Sequence, residues 1–185
     1  RGVAYALPAY RVPQCSRTAK GTPVVQLLPI PREEAITSLL AVSEFNDDTD
    51  LLMLTQGGFI KRTRLSAFSN IRSNGLIAIG LEDGDALTWV RLSIPGDSVL
   101  IGSKAGMTIH FRLADGELRP LGRTARGVRS MNLRKGDSLV SMDVLPAELA
   151  DQIAASADDA GDGDDAGDVA ETAVAAEGPW VLVAS

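Results

Sequence analysis

The sequence predicts an all-β fold, an incomplete propeller-like array of four-stranded antiparallel blades. The chain repeats itself with a period of about fifty residues, which is typical of blade arrays and solenoids. Each repeat contains short aliphatic or β-branched runs bounded by glycine and aspartate, the pattern of short strands joined by tight turns. Residues 1–145 show no pattern of a long helix. Radial repetition of such units leaves only short strand edges unpaired, and this favours the propeller arrangement.

The clearest sign of repetition is a short element in which an arginine precedes a glycine by three or four positions. Residues 17–21 read RTAKG, and residues 123–127 read RTARG, 106 positions later. A degenerate copy, RSNG at residues 72–75, lies between them. We call these three segments the arginine–glycine elements. Their glycine is expected to make a turn, because glycine adopts positive φ without strain. Their arginine predicts a row of positive charge on the assembled surface.

Apolar runs keep a fixed order around these elements. Residues 51–55 and 99–103 form the first run of two repeats, and each is followed by a glycine turn. A second run follows each element. A third run closes each repeat, and the third runs start at Ala35, Ala86 and Ser138, spaced 51 and 52 apart. Each repeat therefore offers three to four short strands joined by glycine-containing turns. The second runs are residues 24–28, 76–81 and 128–133, and the third runs are residues 35–42, 86–93 and 138–145.

The charge of the chain is divided between two unequal parts. Residues 1–150 contain all 18 Lys and Arg with 15 Asp and Glu, a balance of +3. Residues 151–185 contain 9 Asp and Glu and no base, although the net charge of the whole chain is only -6. Such asymmetry indicates either binding of a polyanion by the basic part or an acidic interaction segment.

Composition argues against several classes of protein. No apolar run reaches the roughly 18–20 residues that span a membrane, and residues 1–15 lack the pattern of a secretory signal. A lone Cys15 and a lone His110 make a disulfide or a zinc site unexpected and fit a reducing, cytoplasmic compartment. No cluster of nucleophile, base and carboxylate is recognisable, so we assign no catalytic residue. This disfavours a propeller-type enzyme.

We expect three segments along the chain. Residues 1–145 hold about three repeats, the first of them truncated, as blades. Residues 146–179 form an acidic insertion that is expected to be disordered, in which PAELADQIAASA could make a short helix after Pro146. The stretch 158–168 has no apolar side chain larger than alanine and is expected to be disordered. Residues 180–185 have the character of the first strand of a further blade.

Three segments together resemble one known family. Residues 17–29 read RTAKGTPVVQLLP, residues 58–63 read GFIKRT and residues 124–129 read TARGVR. In type and spacing they are similar to the C-terminal domain of the A subunit of bacterial DNA gyrase. The resemblance covers essentially all of residues 1–145 and resumes at residue 180. It implies a β-pinwheel, a disc of four-stranded blades with duplex DNA wrapped around its basic rim.

The resemblance also implies a parent enzyme. That enzyme is an ATP-dependent type II topoisomerase that supercoils DNA and needs the gyrase B subunit, a second A subunit, ATP and Mg²⁺. The segment itself is expected to use no cofactor. Tyr5 and Tyr10, the only tyrosines, lie in a strand region and not beside a catalytic arginine. The Gln/Arg/Gly-rich heptapeptide that marks gyrase does not occur here, so the equivalent domain of topoisomerase IV stays open.

Basic residues in and around the repeats are the candidate DNA contacts. They recur at the spacing of the repeat, which suits a regular polyanion, and no pattern of a base-reading helix accompanies them. Lys61 and Arg62 are neighbours in one strand and point to opposite faces, so only one of them is expected to line the DNA path. The full predicted set is Arg17, Lys20, Lys61, Arg62, Arg64, Arg72, Arg112, Arg123, Arg126 and Arg129.

Plainer interpretations stand beside these. His110 is expected to be an ordinary strand residue and Trp89 to pack between blades, while Cys15 is expected to be an incidental thiol. The acidic insertion is interpreted as a solvated linker or, alternatively, as an autoinhibitory DNA mimic. A repeat scaffold that binds proteins is the alternative function for the whole segment.

Overall fold

A computed structural model describes residues 1–31, 34–114 and 116–159 of the chain. The described residues form nine β-strands, one α-helix and three short 3₁₀ helices at Ala9–Arg11, Val24–Gln26 and Leu65–Phe68. The strands are β1 (Val3–Ala4), β2 (Asp50–Thr55), β3 (Phe59–Arg64), β4 (Leu76–Ile77), β5 (Leu87–Ser93), β6 (Ser98–Ser103), β7 (Thr108–Arg112), β8 (Val128–Arg129) and β9 (Leu139–Leu145); the helix is α1 (Ala147–Asp159).

The most complete blade, which we call blade two, is a four-stranded antiparallel sheet in the order β5-β2-β3-β8. Strands β2 and β3 form a hairpin in which Leu52 faces Arg62 and Met53 faces Lys61. The fourth strand, β8, comes from the following repeat and pairs with the start of β3. The repeat in the sequence and the blade in space are therefore offset, since this blade is closed by the repeat after it.

The next sheet, which we call blade three, has the order β7-β6-β9 and copies the register of blade two. Its hairpin pairs Leu100 with His110, as blade two pairs Leu52 with Arg62. Both blades shift register at the end of the central strand, after Leu54 in β2 and after Gly102 in β6. The shared bulge confirms that the two repeats have one backbone design.

The first repeat is less regular than the sequence predicts. Only β1 and β4 pair there, with Val3 opposite Ile77. Residues 24–26, predicted as part of a strand, form a 3₁₀ turn that follows Pro23. Residues 35–42, also predicted as a strand, are not in a strand. In the other repeats this run pairs with β2 or β6, and the described part of the first repeat contains no counterpart of those two strands.

Blade two has an apolar core on each side. Leu52 and Leu54 point into a cluster with β6 and β9 of blade three, whereas Leu51 and Met53 point into a second cluster. Successive side chains of a strand face opposite ways, so the unbroken run LLML can serve two cores at once. The predicted position of Trp89 is confirmed, since it packs against the cluster between the two blades.

An aspartate side chain accepts hydrogen bonds from the hairpin turn in each of these two blades. Asp85 accepts a hydrogen bond from the backbone N–H of Gly57 at 2.7 Å. Asp137, its counterpart, accepts from the Ser103 hydroxyl at 2.7 Å and from the Ala105 N–H at 3.0 Å. The Ser103 hydrogen bond is the main cause that lowers the pKa of Asp137 below its usual range. The glycine–aspartate turns of the sequence thus also tie neighbouring strand ends together.

Helix α1 confirms the helix predicted after Pro146. It lies against blade three, where Ala150 is buried and Asp151 forms an ion pair with Arg112 of β7. The helix includes Asp158 and Asp159, the first two residues of the stretch 158–168. The remainder of that stretch and the strand predicted at 180–185 lie outside the described residues. No helix within the described ranges is long and apolar enough to cross a membrane.

Candidate nucleic-acid interface

The arginine–glycine element of repeat three is built against blade two. Gly127 has φ of 101°, and a Cβ at this position would lie 2.3 Å from the carbonyl oxygen of Ile60. Only glycine fits such a close approach of two backbones. Strand β8 starts directly after it and places Val128 opposite Ile60 and Arg129 opposite Phe59. The element is therefore the joint at which the chain of one repeat closes the preceding blade.

The element of repeat two is built in the same way. Gly75 has φ of 83°, and a Cβ there would lie 2.6 Å from Cγ1 of Val3 in β1. Gly21 of the first element also has positive φ, of 74°, but nothing lies within 4 Å of the place of its Cβ among the described residues. All three glycines have positive φ, as expected. Gly75 also closes a turn by donating to the carbonyl of Arg72 at 2.9 Å, whereas the turns at the other two elements end at Ala19 and Ala125. Gly75 and Gly127 in addition permit close contact with a neighbouring strand.

The buried side chain of Lys61 in blade two forms hydrogen bonds with the arginine–glycine element of repeat three. Its side chain is fully buried, and Nζ donates to the carbonyl oxygens of Ala78 and Arg123, each at 2.5 Å, and of Gly122 and Ala125, each at 3.1 Å. Burial lowers the pKa of Lys61 to about 8, while the carbonyl oxygens oppose that shift by favouring the ammonium. The predicted DNA contact at Lys61 is therefore corrected, because its ammonium is enclosed by backbone.

The predicted DNA contact at Arg62 is also corrected. It points to the face opposite Lys61, as predicted, but it is only 1% exposed. Its Nε lies 3.0 Å from a carboxylate oxygen of Asp50, and its Nη1 donates to the carbonyl of Leu113 at 2.9 Å. Buried charges persist where they are paired and hydrogen-bonded. Arg62 is thus an internal ion-pair partner, and neither it nor Lys61 lines a surface path.

Two exposed arginines share one aromatic ring at the outer edge of blade two. The guanidinium carbon of Arg126 lies 4.4 Å from the ring centroid of Phe59, and that of Arg129 lies 5.2 Å from it. Arg126 also forms an ion pair with Glu82, and about half of each of these two side chains is exposed. Sequence reasoning did not assign a role to Phe59 or Glu82. The pairing of Phe59 with Arg129 depends on a strand contributed by the next repeat, which no local pattern indicates.

The remaining predicted DNA contacts differ in their exposure and in their ion-pair partners. Arg64 is partly buried and held by Asp50 at 3.4 Å and by the carbonyl of Asp47 at 2.9 Å. Arg123 is also partly buried, whereas Arg112 is exposed but paired with Asp151. The exposed members of the predicted set are Arg17, Lys20, Arg72, Arg112, Arg126 and Arg129.

Groups that would bind a metal are not brought together in the described part of the chain. No three His, Cys, Asp or Glu side chains there lie close enough to hold a metal ion. His110 is an exposed residue of β7, opposite Leu100, and Cys15 is an exposed free thiol. Exposed guanidinium and ammonium groups occur in all three repeats and can make electrostatic contacts.

Antiparallel blades joined by the arginine–glycine elements define a propeller-type domain with a basic edge. Residues 1–43, 49–93 and 97–146 match the family of DNA gyrase C-terminal domains, described as a β-propeller. The match covers more than half of the chain, so the chain belongs to this family.

Individual relatives agree with this family membership. The chain is 56% identical over 184 residues to the A subunit of DNA gyrase from Synechocystis sp., a match that covers 98% of the chain and 21% of that protein. It is 42% identical over 182 residues to the chloroplastic/mitochondrial DNA gyrase A subunit of Arabidopsis thaliana, covering 98% of the chain and 18% of the relative. The chain thus spans about a fifth of the length of these relatives.

Solved structures with the same fold come from two related enzymes. A DNA gyrase A C-terminal domain superposes with a TM-score of 0.62 at 28% identity, covering 76% of this chain and 44% of that one. The C-terminal domain of a DNA topoisomerase IV has the same TM-score of 0.62 at 26% identity, covering 70% of this chain and 40% of that one. The fold is accordingly the β-pinwheel of both, as the family resemblance implies.

Proposed function

We propose that this chain binds and wraps duplex DNA without reading its sequence, as part of the C-terminal domain of the A subunit of a DNA gyrase. The observation that carries the proposal is the exposed arginine pair at the edge of blade two. Arg126 and Arg129 lie at the arginine–glycine element of repeat three, and Arg17, Lys20 and Arg72 are exposed in the other two elements. Membership of the gyrase family supports the same interpretation.

The physical argument rests on phosphate neutralisation. Duplex DNA carries about one negative charge per 1.7 Å of axis, and each cation that contacts phosphate releases condensed counterions. Cations repeated once per blade can follow a bent duplex, whereas no long helix among the described strands and loops of residues 1–145 is available to enter a groove. Affinity should therefore come from the backbone and from DNA bending, with little base discrimination.

The proposal extends to a parent enzyme. In it the chain supports ATP-dependent supercoiling by a holoenzyme with the gyrase B subunit, a second A subunit, ATP and Mg²⁺, and the reacting groups lie in other parts of that enzyme. A bacterial enzyme of this kind works in the cytoplasm. The plant relatives carry the designation chloroplastic/mitochondrial.

A gel-shift titration with a 150-base-pair and a 20-base-pair duplex tests the wrapping proposal. We expect clearly tighter binding of the longer duplex and a steep fall of affinity with salt. The double variant Arg126→Gln/Arg129→Gln should reduce the salt slope by about 0.9 for each lost phosphate contact. Lys104→Gln is a matched control, since Lys104 is an exposed cation outside the predicted set. Equal affinity for both lengths, unchanged by salt, would rule out wrapping and favour a protein-binding scaffold.

A further inference from the structure

Phe59 occupies a special place between two repeats. It is the first residue of β3 in blade two, only 8% exposed, and it lies opposite Arg129 of β8. Its ring is within 4.4 Å of the guanidinium carbon of Arg126 and within 5.2 Å of that of Arg129. Both arginines come from the following repeat. One aromatic ring therefore contacts two cations that lie about seventy residues later in the sequence.

An aromatic ring can hold like charges close together. The ring carries negative potential on its face, which attracts a guanidinium and offsets part of the repulsion between two of them. A guanidinium that stacks on a ring keeps its N–H groups at its edge, where they remain free for a phosphate oxygen. Stacking also restricts the long arginine side chain before DNA arrives, so less rotamer freedom is lost on binding.

Glu82 completes the arrangement in the free protein. Its carboxylate pairs with Arg126, and both side chains are about half exposed, so solvent and a competing anion can reach the pair. A phosphate of DNA carries the same kind of acceptor oxygen and can take the place of Glu82. The ring contact of Arg126 does not depend on that exchange.

The other repeats provide an internal comparison. Strand β1 pairs with β4 as β3 pairs with β8, and the residues that correspond to Phe59 and Arg129 are Val3 and Ile77. The aromatic ring and the arginine are thus present together in one joint and absent together in the other. A purely structural need for bulk at Phe59 would not require an arginine opposite it.

We propose that Phe59 is a positioning residue that holds Arg126 and Arg129 in the orientation that binds DNA phosphates. The inference rests on the proposed function. It predicts that Phe59→Leu lowers the affinity for a 150-base-pair duplex about five-fold at low salt, an effect of the size expected from loss of two ring–cation contacts. Phe59→Tyr keeps the ring and should stay within about two-fold of the native affinity.

A double-mutant cycle separates positioning from folding. Phe59→Leu should have almost no further effect in the Arg126→Gln/Arg129→Gln background, because the cations that it positions are gone. Phe68→Leu is the matched control, since Phe68 is also buried but has no arginine stacked on its ring among the described residues. The same loss from Phe59→Leu in both backgrounds would overturn the proposal and leave Phe59 a core residue.

The outcomes also separate this inference from the proposed function. If the arginine double variant loses affinity and Phe59→Leu does not, the positioning role is wrong while DNA binding stands. If the double variant loses none, DNA binding at this edge fails, and the positioning role fails with it. If Phe59→Leu does not fold, proton NMR of the native chain decides: ring-current shifts of the Nε–H protons of Arg126 and Arg129 support the stack, and their absence overturns it.

Discussion

In blade two, β3 carries Lys61 and Arg62, and both are buried, whereas β7 of blade three carries Ile109 and His110 at the corresponding register positions. The backbones of the two hairpins share the same pairing and the same bulge. The two hairpins therefore differ in their side chains and in the segments that pack against them. The loop of residues 121–125 from the next repeat covers Lys61 and supplies it with carbonyl oxygens.

The two blades also differ in the carboxylate that pairs with their basic residues. Asp50 of β2 is fully buried and serves both Arg62 and Arg64, while the corresponding residue of β6 is Ser98. Arg112, which takes the position of Arg64, instead reaches Asp151 on α1. A basic residue in a strand of this fold is thus a surface cation or a buried ion-pair partner according to its neighbours, and residue type alone does not decide between the two.

The largest expected effect is at Asp50. Asp50→Ala removes the carboxylate beside buried Arg62, and an uncompensated buried charge typically costs about 3–5 kcal/mol. The free energy of unfolding should fall by that amount in a urea titration. Ser98→Ala at the corresponding position of blade three should cost no more than about 1 kcal/mol. Similar losses for the two variants would show that the ionic network does not distinguish the blades.

A smaller loss is expected at the joint between the blades. Gly127→Ala places a methyl group against the carbonyl of Ile60 at positive φ, and we expect a cost above about 2 kcal/mol from strain and clash together. Gly21→Ala has the strain without the clash and should cost about 1 kcal/mol. Thermal melting of the two variants tests this order. A cost at Gly21 as large as that at Gly127 would show that backbone strain alone sets both values.

Lys61 predicts a difference in pH dependence. Its pKa is about 8 in the folded chain against an ordinary value of 10.5, so between these two values the unfolded state binds more protons. The stability of the native chain should therefore rise, relative to Lys61→Met, as the pH increases from about 8 to 10.5. Melting temperatures of the two chains at about pH 7 and about pH 10 measure it. Ile109→Met at the corresponding position should show no such trend, and a constant difference between native chain and Lys61→Met would contradict the burial effect.

The smallest effects concern the two exposed ion pairs. Glu82 pairs with Arg126 at blade two, and Asp151 pairs with Arg112 at blade three. If these arginines bind phosphate, Glu82→Gln and Asp151→Asn should each raise the affinity for a 150-base-pair duplex about two- to three-fold, since exposed pairs are weak. The gain should shrink as salt rises. Glu117→Gln is the control, at an exposed acid for which the described residues show no ion pair. A decrease for either variant would mean that its acid orients the arginine.

Much of the blade architecture follows from local pattern. The runs at 51–55 and 99–103 are strands, and the third runs of two repeats are the strands β5 and β9. The positive φ of Gly21, Gly75 and Gly127 agrees with the predicted turns. Apolar runs and glycines restrict the backbone within a few residues, so these features can be predicted without knowing what lies beside them.

The candidate site was less predictable. Lys61 and Arg62 were both candidate DNA contacts, and one of them was expected to line the DNA path, yet segments about sixty and fifty residues away enclose them. Residues 35–42 have the pattern of a strand but pair with none among the described residues. A strand needs a partner from elsewhere in the chain, and the sequence of the segment itself carries no information on whether that partner is present.

The sequence by itself determined the repeat, the all-β class, the turns at the arginine–glycine elements and the division of charge, because each of these depends on residue type and spacing. Only the tertiary structure decided which cations are exposed, since blade two is closed by a strand from the following repeat. That closure buries Lys61 and also brings Phe59 together with Arg126 and Arg129. The cause is the same in both cases: a side chain's solvation and its partners depend on contacts between repeats, and these are set by the fold as a whole.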